Sequence, residues 1–166
     1  MEFRGIVRKV AGVGAALAAA GTMLIAPVSA SAASDVQLQA RGTIVNIKHA
    51  SSRNCLAANH LGQVGLAACD GSNDTKWDNF VSGGVGRYRN VAFNACLAAD
   101  SGGVVGILTD CDTLWSGWTS TSGSPKYIKH AVSTTKCLHT NSGAVEKFAY
   151  LITCEEATRW SVLPTT

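Results

Sequence analysis

The chain has 166 residues, with 14 Lys and Arg against 11 Asp and Glu; only 15% of residues are charged while 46% are apolar. That balance excludes disorder, and the basic residues are scattered rather than gathered into the stripe that phosphate neutralisation requires, which argues against nucleic acid as a partner. What is left is a chain of one-domain size with enough apolar side chains to bury a core.

In chain order, Met1 to Lys9 supplies a short positive start, Val10 to Ala20 is an unbroken apolar stretch, and Val28-Ser29-Ala30-Ser31-Ala32-Ala33 offers small-x-small cleavage positions. This pattern predicts a secretory signal over 1–33. Stretched from Val10 to Ala30, the apolar run is long enough for a membrane anchor, but its Ala and Gly content and the polar region that follows favour export. No later segment approaches spanning length, so the mature chain of about 133 residues, with net charge about +1, is expected to be secreted, extracellular and without a membrane span. Residues 34–41, Ser-Asp-Val-Gln-Leu-Gln-Ala-Arg, alternate Val36, Leu38 and Ala40 with polar residues. They read as an N-terminal arm able to add as a strand to a partner's sheet edge, or as a frayed leader.

The rest, 42–166, is a threefold internal repeat, with copies at about 42–82, 83–123 and 124–166. Cys55-Leu56-Ala57-Ala58 returns as Cys96-Leu97-Ala98-Ala99 and again as Cys137-Leu138-His139-Thr140, at a spacing of about 41 residues. Each copy continues with a turn former (Asn59, Asp100, Asn141) and nearby Gly62, Gly102 or Gly143. A leucine then stands three residues before a second cysteine (Leu66, Leu108 and Leu151 before Cys69, Cys111 and Cys154), and a tryptophan closes the copy (Trp77, Trp118, Trp160). Ile47-Lys48-His49-Ala50 recurs as Ile128-Lys129-His130-Ala131, with Tyr88-Arg89-Asn90-Val91 in the matching place of the middle copy. Strands are expected over Gly42 to Lys48, Gly86 to Phe93 and Lys126 to Val132, where short β-branched or alternating runs are bounded by turn residues; no mature segment sustains a helical period. The fold class is therefore all-β and pseudo-symmetric. Six cysteines allow many connectivities, and the repeat selects one disulfide per copy: Cys55 with Cys69, Cys96 with Cys111, Cys137 with Cys154. Free thiols or a zinc site are the alternatives, and no CxxC or clustered Cys and His spacing supports a metal.

With Cys-Leu, a turn, Leu-x-x-Cys and Trp in triplicate over about 42–163, the chain resembles the ricin B chain-like (R-type) lectin domains. The resemblance implies a β-trefoil: twelve short strands, six closing a barrel and six forming a hairpin cap, with Leu56, Leu97, Leu138 and the three tryptophans in a shared core. It also implies up to one shallow sugar pocket per copy. The residues that make such a pocket are absent. Where the family pattern places an Asp two residues past the first cysteine stand Ala57, Ala98 and His139; where it places an aromatic two residues before the second stand Ala67, Thr109 and Ile152. The closing Gln-x-Trp has become Thr75-Lys76-Trp77, Ser116-Gly117-Trp118 and Thr158-Arg159-Trp160, and only Asp74 stands in for the polar residue often found three before the tryptophan.

Sugar binding would then require relocated residues, because a shallow site depends on a few convergent polar groups and one ring face. The candidates are Asp74, Trp115 with Asp112, and Tyr150 with Glu146; the alternatives are cap packing for Trp115 and an ordinary strand position for Tyr150. No Gly-x-Ser-x-Gly elbow, phosphate loop or redox CxxC occurs, His49 and His130 occupy one repeated position, and Glu155 and Glu156 read as a charged loop. A non-enzymatic module without cofactor or metal is expected, its partner a glycan or polysaccharide. The alternative partner is another secreted protein, with the chain as adaptor subunit of a secreted complex such as a toxin particle. A weaker alternative is a protease inhibitor presenting Val81 to Gly86 or Ser120 to Pro125, which otherwise read as linkers between copies.

Overall fold

The computed structural model describes residues 42–141 and 148–165. Twelve strands run through them: β1 Thr43–His49, β2 Asn54–Ala58, β3 Val64–Ala68, β4 Lys76–Ser82, β5 Val85–Asn90, β6 Ala95–Ala99, β7 Val105–Leu108, β8 Trp118–Ser120, β9 Ile128–His130, β10 Lys136–Thr140, β11 Ala149–Thr153 and β12 Trp160–Pro164. The only helical pieces among the described residues are two 3-10 turns, Asn73–Thr75 and Leu114–Ser116. The signal at 1–33, the arm at 34–41 and Glu146 lie outside the described residues.

Six strands close into a barrel: β1 pairs β4, β4 pairs β5, β5 pairs β8, β8 pairs β9, and β12 returns to β1, while Lys126, just before β9, bridges Trp160. The other six form hairpins β2–β3, β6–β7 and β10–β11 that cap it. The caps meet in a threefold set of bridges, Gln63 with Gly106, Val104 with Tyr150 and Phe148 with Gly65. This is the β-trefoil that the resemblance implies.

Register shows how the copies interlock. Trp77 pairs with Asn90, Trp118 with His130 and Trp160 with His49, so the residue that ends each copy is held by the opening strand of the next. Each indole is 1% exposed or less and donates Nε1–H to a leucine carbonyl, Leu56, Leu97 and Leu138, at 2.9, 2.9 and 3.0 Å. A buried indole needs such an acceptor, and the hairpin strand supplies one in every copy. These leucines, with Val45, Ile47, Val64, Tyr88 and Ile128, complete one core.

All three disulfides form as the repeat requires, Cys55–Cys69, Cys96–Cys111 and Cys137–Cys154, with separations of 14, 15 and 17 residues. Oxidised pairs of this kind belong to an oxidising compartment. The cap turns repeat as well: Asn59 Oδ1 accepts the Leu61 and Gln63 N–H groups at 3.0 Å, and Asp100 Oδ1 accepts Val104 N–H at 2.8 Å. Gly62 and Gly103 complete these turns at φ of +76° and +83°, where a side chain would be strained. In the middle copy that role falls to Gly103, not Gly102.

The leucine before the second cysteine departs from the repeat in the middle copy. Leu56 faces Leu66 and Leu138 faces Leu151, but Leu97 faces Ile107, leaving Leu108 44% exposed. Counting back from Cys111 is off by one because the middle copy has an extra residue between strand and cysteine, and one step along a strand reverses the face. For the same reason Leu108, not Thr109, is the true counterpart of Ala67 and Ile152. Val81 to Gly86 is a hairpin turning on Gly83 and Gly84, and Ser120 to Pro125 connects β8 to β9, so both segments join successive copies.

Candidate functional site

A pocket of about 530 Å³ lies on the β2–β3 hairpin of the first copy. Its floor is Ala57, Ala58, Gly65 and Ala67, small because the residues of the family pattern are missing from exactly that hairpin, and polar groups come from Asn59, Gln63 and Asp74. The Asn59 Nδ2–H donates to Gln63 Oε1 at 2.9 Å, which fixes both amides at the rim. Phe148, 57% exposed, forms the remaining wall. It arrives from the third copy through its bridge to Gly65.

Asp74 is held from behind. Its backbone carbonyl accepts Asn90 Nδ2–H at 2.7 Å, and Asn90, fully buried, uses Oδ1 to accept the Ala92 and Phe93 N–H groups at 3.1 and 3.3 Å. The Asp74 carboxylate shares the Ser72 hydroxyl with Asp70. That hydroxyl has one proton, so it serves one carboxylate at a time. The Ser72 side chain, then its N–H, hold the Asp70 carboxyl below its ordinary range. A half-buried carboxylate, two amides and an apolar ring on one pocket make a surface that accepts hydroxyl protons and stacks an apolar face.

The other predicted residues are placed separately. Trp115 sits in the second 3-10 turn, stacked on His130 with ring centroids 6.0 Å apart, and its carbonyl accepts the His130 Nε2–H at 3.1 Å. It lines a second pocket of about 270 Å³ with Asp100 and Lys136. Asp112 does not line that pocket; its Oδ1 accepts the Ser82 hydroxyl at 2.9 Å. Tyr150 is half-buried, packs edge-on against His139 at 5.0 Å and donates its hydroxyl to Asn141. His49 packs edge-on against Trp160, as His130 does against Trp118. Phe148 was not among the sequence candidates. The only trace of it is that Gln63, Val104 and Phe148 hold one equivalent position and the third alone is aromatic, while its proximity to Asp74 depends on how the copies meet.

No protein-family model matches the chain, and no curated protein is similar to it in sequence. Solved structures are similar in fold. A ricin B-like lectin from Macrolepiota procera, solved in complex with lactose, superposes with a TM-score of 0.65 at 11% identity over 75% of this chain and 97% of that one. The designed threefold-symmetric protein ThreeFoil gives 0.61 at 12% identity over 74% and 99%. A mosquitocidal holotoxin gives 0.68 at 13% identity over 75% of this chain, which spans only 17% of the holotoxin. The fold is a ricin B-like β-trefoil. Among the described residues no helix is long and apolar enough to cross a membrane.

Proposed function

We propose that this chain is an exported, non-catalytic carbohydrate-binding module whose working pocket is the Asp74 site of the first copy. The observation that carries the reading is the pairing of Asp74 with Phe148 across two copies. The carboxylate and aromatic platform missing from the repeat positions are replaced at the same pocket by residues from elsewhere in the fold. The fold likeness to a lectin solved with lactose supports the ligand class. Three disulfides and the sequence signal at 1–33 support export.

The test is retention of the oxidised mature protein on a panel of immobilised neutral glycans, lactose included. Asp74→Ala and Phe148→Ala should each weaken retention about tenfold, the scale of one charge-assisted hydrogen bond or one stacked ring. Full retention by both variants would refute the site.

A second reading has its own support. In the holotoxin a matching trefoil is a small part of a longer toxin chain, and the second and third copies here have lost the family's sugar-contacting residues. The module then acts as an adaptor within a secreted toxin-like assembly, through its surface or the 34–41 arm.

A further inference from the structure

Two of the three copy junctions share one polar arrangement, and the third breaks it. In the first two junctions, Asn90 and His130 reach a carbonyl of the 3-10 turn before the tryptophan, Asp74 at 2.7 Å and Trp115 at 3.1 Å. His49 holds the equivalent place opposite Trp160. The segment from Cys154 to Trp160 is shorter than its counterparts and has no 3-10 turn, and Ala157 stands where Asp74 and Trp115 do. Among the described residues the His49 side chain makes one hydrogen bond, Nδ1 accepting Ser51 N–H at 3.3 Å.

A pocket of about 420 Å³ opens at this gap, lined by His49, Ser51, His139, Thr140, Glu156 and Arg159 among others. Two of these are substitutions peculiar to the third copy: His139 replaces Ala57 and Ala98, and Thr140 replaces Ala58 and Ala99. Thr140 is 1% exposed and its Oγ1 has no partner among the described residues. Shortening of the loop and replacement of two alanines by polar residues thus converge on one cavity. Asn141 and Ile152, which belong to the hairpin side of this copy, do not line it.

The hydrogen bonds of the rings decide what the cavity takes. The Nδ1 of His139 accepts Thr158 N–H at 3.1 Å, as that of His49 accepts Ser51 N–H. In its neutral form each ring therefore carries its proton on Nε2, as a donor and not as a metal ligand. Arg159 adds a guanidinium, stacked over the Tyr127 ring at 4.9 Å, and Glu156 adds one negative charge that penalises a dianion more than a monoanion. We propose that this pocket binds the carboxylate of an acidic sugar, accepting hydrogen bonds from His49 and His139 beside Arg159. The volume suits a ring-sized ligand. Burial first, then the charge of His139, hold the His49 imidazole below its ordinary value. A carboxylate between the two rings offsets the second effect, with Glu156 and Arg159 the other charges on the pocket, so bound ligand raises the pH at which His49 titrates.

The experiment is an NMR titration of the histidine ring signals of the oxidised mature protein with D-glucuronate, with D-glucose as control. Glucuronate should move His49 and His139, leave His60 and His130 in place, and raise the His49 titration midpoint; glucose should move none. His139→Ala restores the residue the other copies carry and gives up the Thr158 N–H bond, so it should lower the melting temperature by only about 4 °C while weakening glucuronate binding about tenfold. Equal response to glucose, unmoved His49 and His139 signals, or full binding by His139→Ala would overturn the proposal. Asp74→Ala should leave glucuronate binding unchanged, so failure at this pocket and failure at the Asp74 pocket are separate results.

Discussion

Asn90 is the side chain on which copy junction and candidate site both depend, and replacing it tests the pseudo-symmetric reading directly. Asn90→Ala removes the bonds to the Asp74 carbonyl at 2.7 Å and to the Ala92 and Phe93 N–H groups at 3.1 and 3.3 Å, at a position with no solvent exposure. At about 1 kcal/mol for each bond the loss is about 3 kcal/mol. For a domain of this size that lowers the melting temperature by about 12 °C. Asn90→His installs the residue found at His49 and His130, whose ring can reach the same carbonyl as His130 reaches Trp115 at 3.1 Å. It should lose less than half as much, the added volume in a closed site being its main cost. Differential scanning calorimetry with disulfides intact gives both numbers. If Asn90→Ala melts within about 3 °C of the parent, or if the histidine variant is as unstable as the alanine variant, the shared polar position is not a structural joint.

Two further predictions concern stability. Replacing Cys96 and Cys111 together by Ala opens a closure with a separation of 15 residues and should cost about 3 kcal/mol in urea unfolding; a loss below about 1 kcal/mol would mean that the unfolded chain already holds the loop ends together. Burial pushes the Tyr88 phenol up to about 12. The unfolded chain therefore releases this proton from about pH 10 while the folded chain retains it, and stability falls as pH rises through that window, by about 1 kcal/mol near pH 11. Tyr88→Phe should remove that part of the alkaline loss, and an unchanged slope in urea midpoint between about pH 8 and pH 11 would refute it.

The two polar pockets share a logic. Each lies where a copy of the repeat has departed from its siblings: alanine floors and a borrowed phenylalanine in one, a lost turn and a new histidine in the other. A trefoil tolerates such changes because its core contacts, the indole-to-leucine carbonyl bonds above all, lie beneath the loops that vary.

What the sequence by itself determined was the content of one copy and its recurrence. Cysteine spacing, the turn formers and the closing tryptophans act over short distances and are written three times, so the disulfides, the cap turns and three β-rich units were legible from them, and the trefoil followed from the resemblance to ricin B chain-like domains. Ile107 was not, because an added residue before Cys111 shifts the count while strand alternation fixes the face. Tertiary structure alone decided which residues from different copies meet. Phe148 reaches the Asp74 pocket through a bridge to Gly65, and His49 reaches His139 because β12 closes on β1. Barrel closure sets those encounters, and nothing local to any of these residues encodes them.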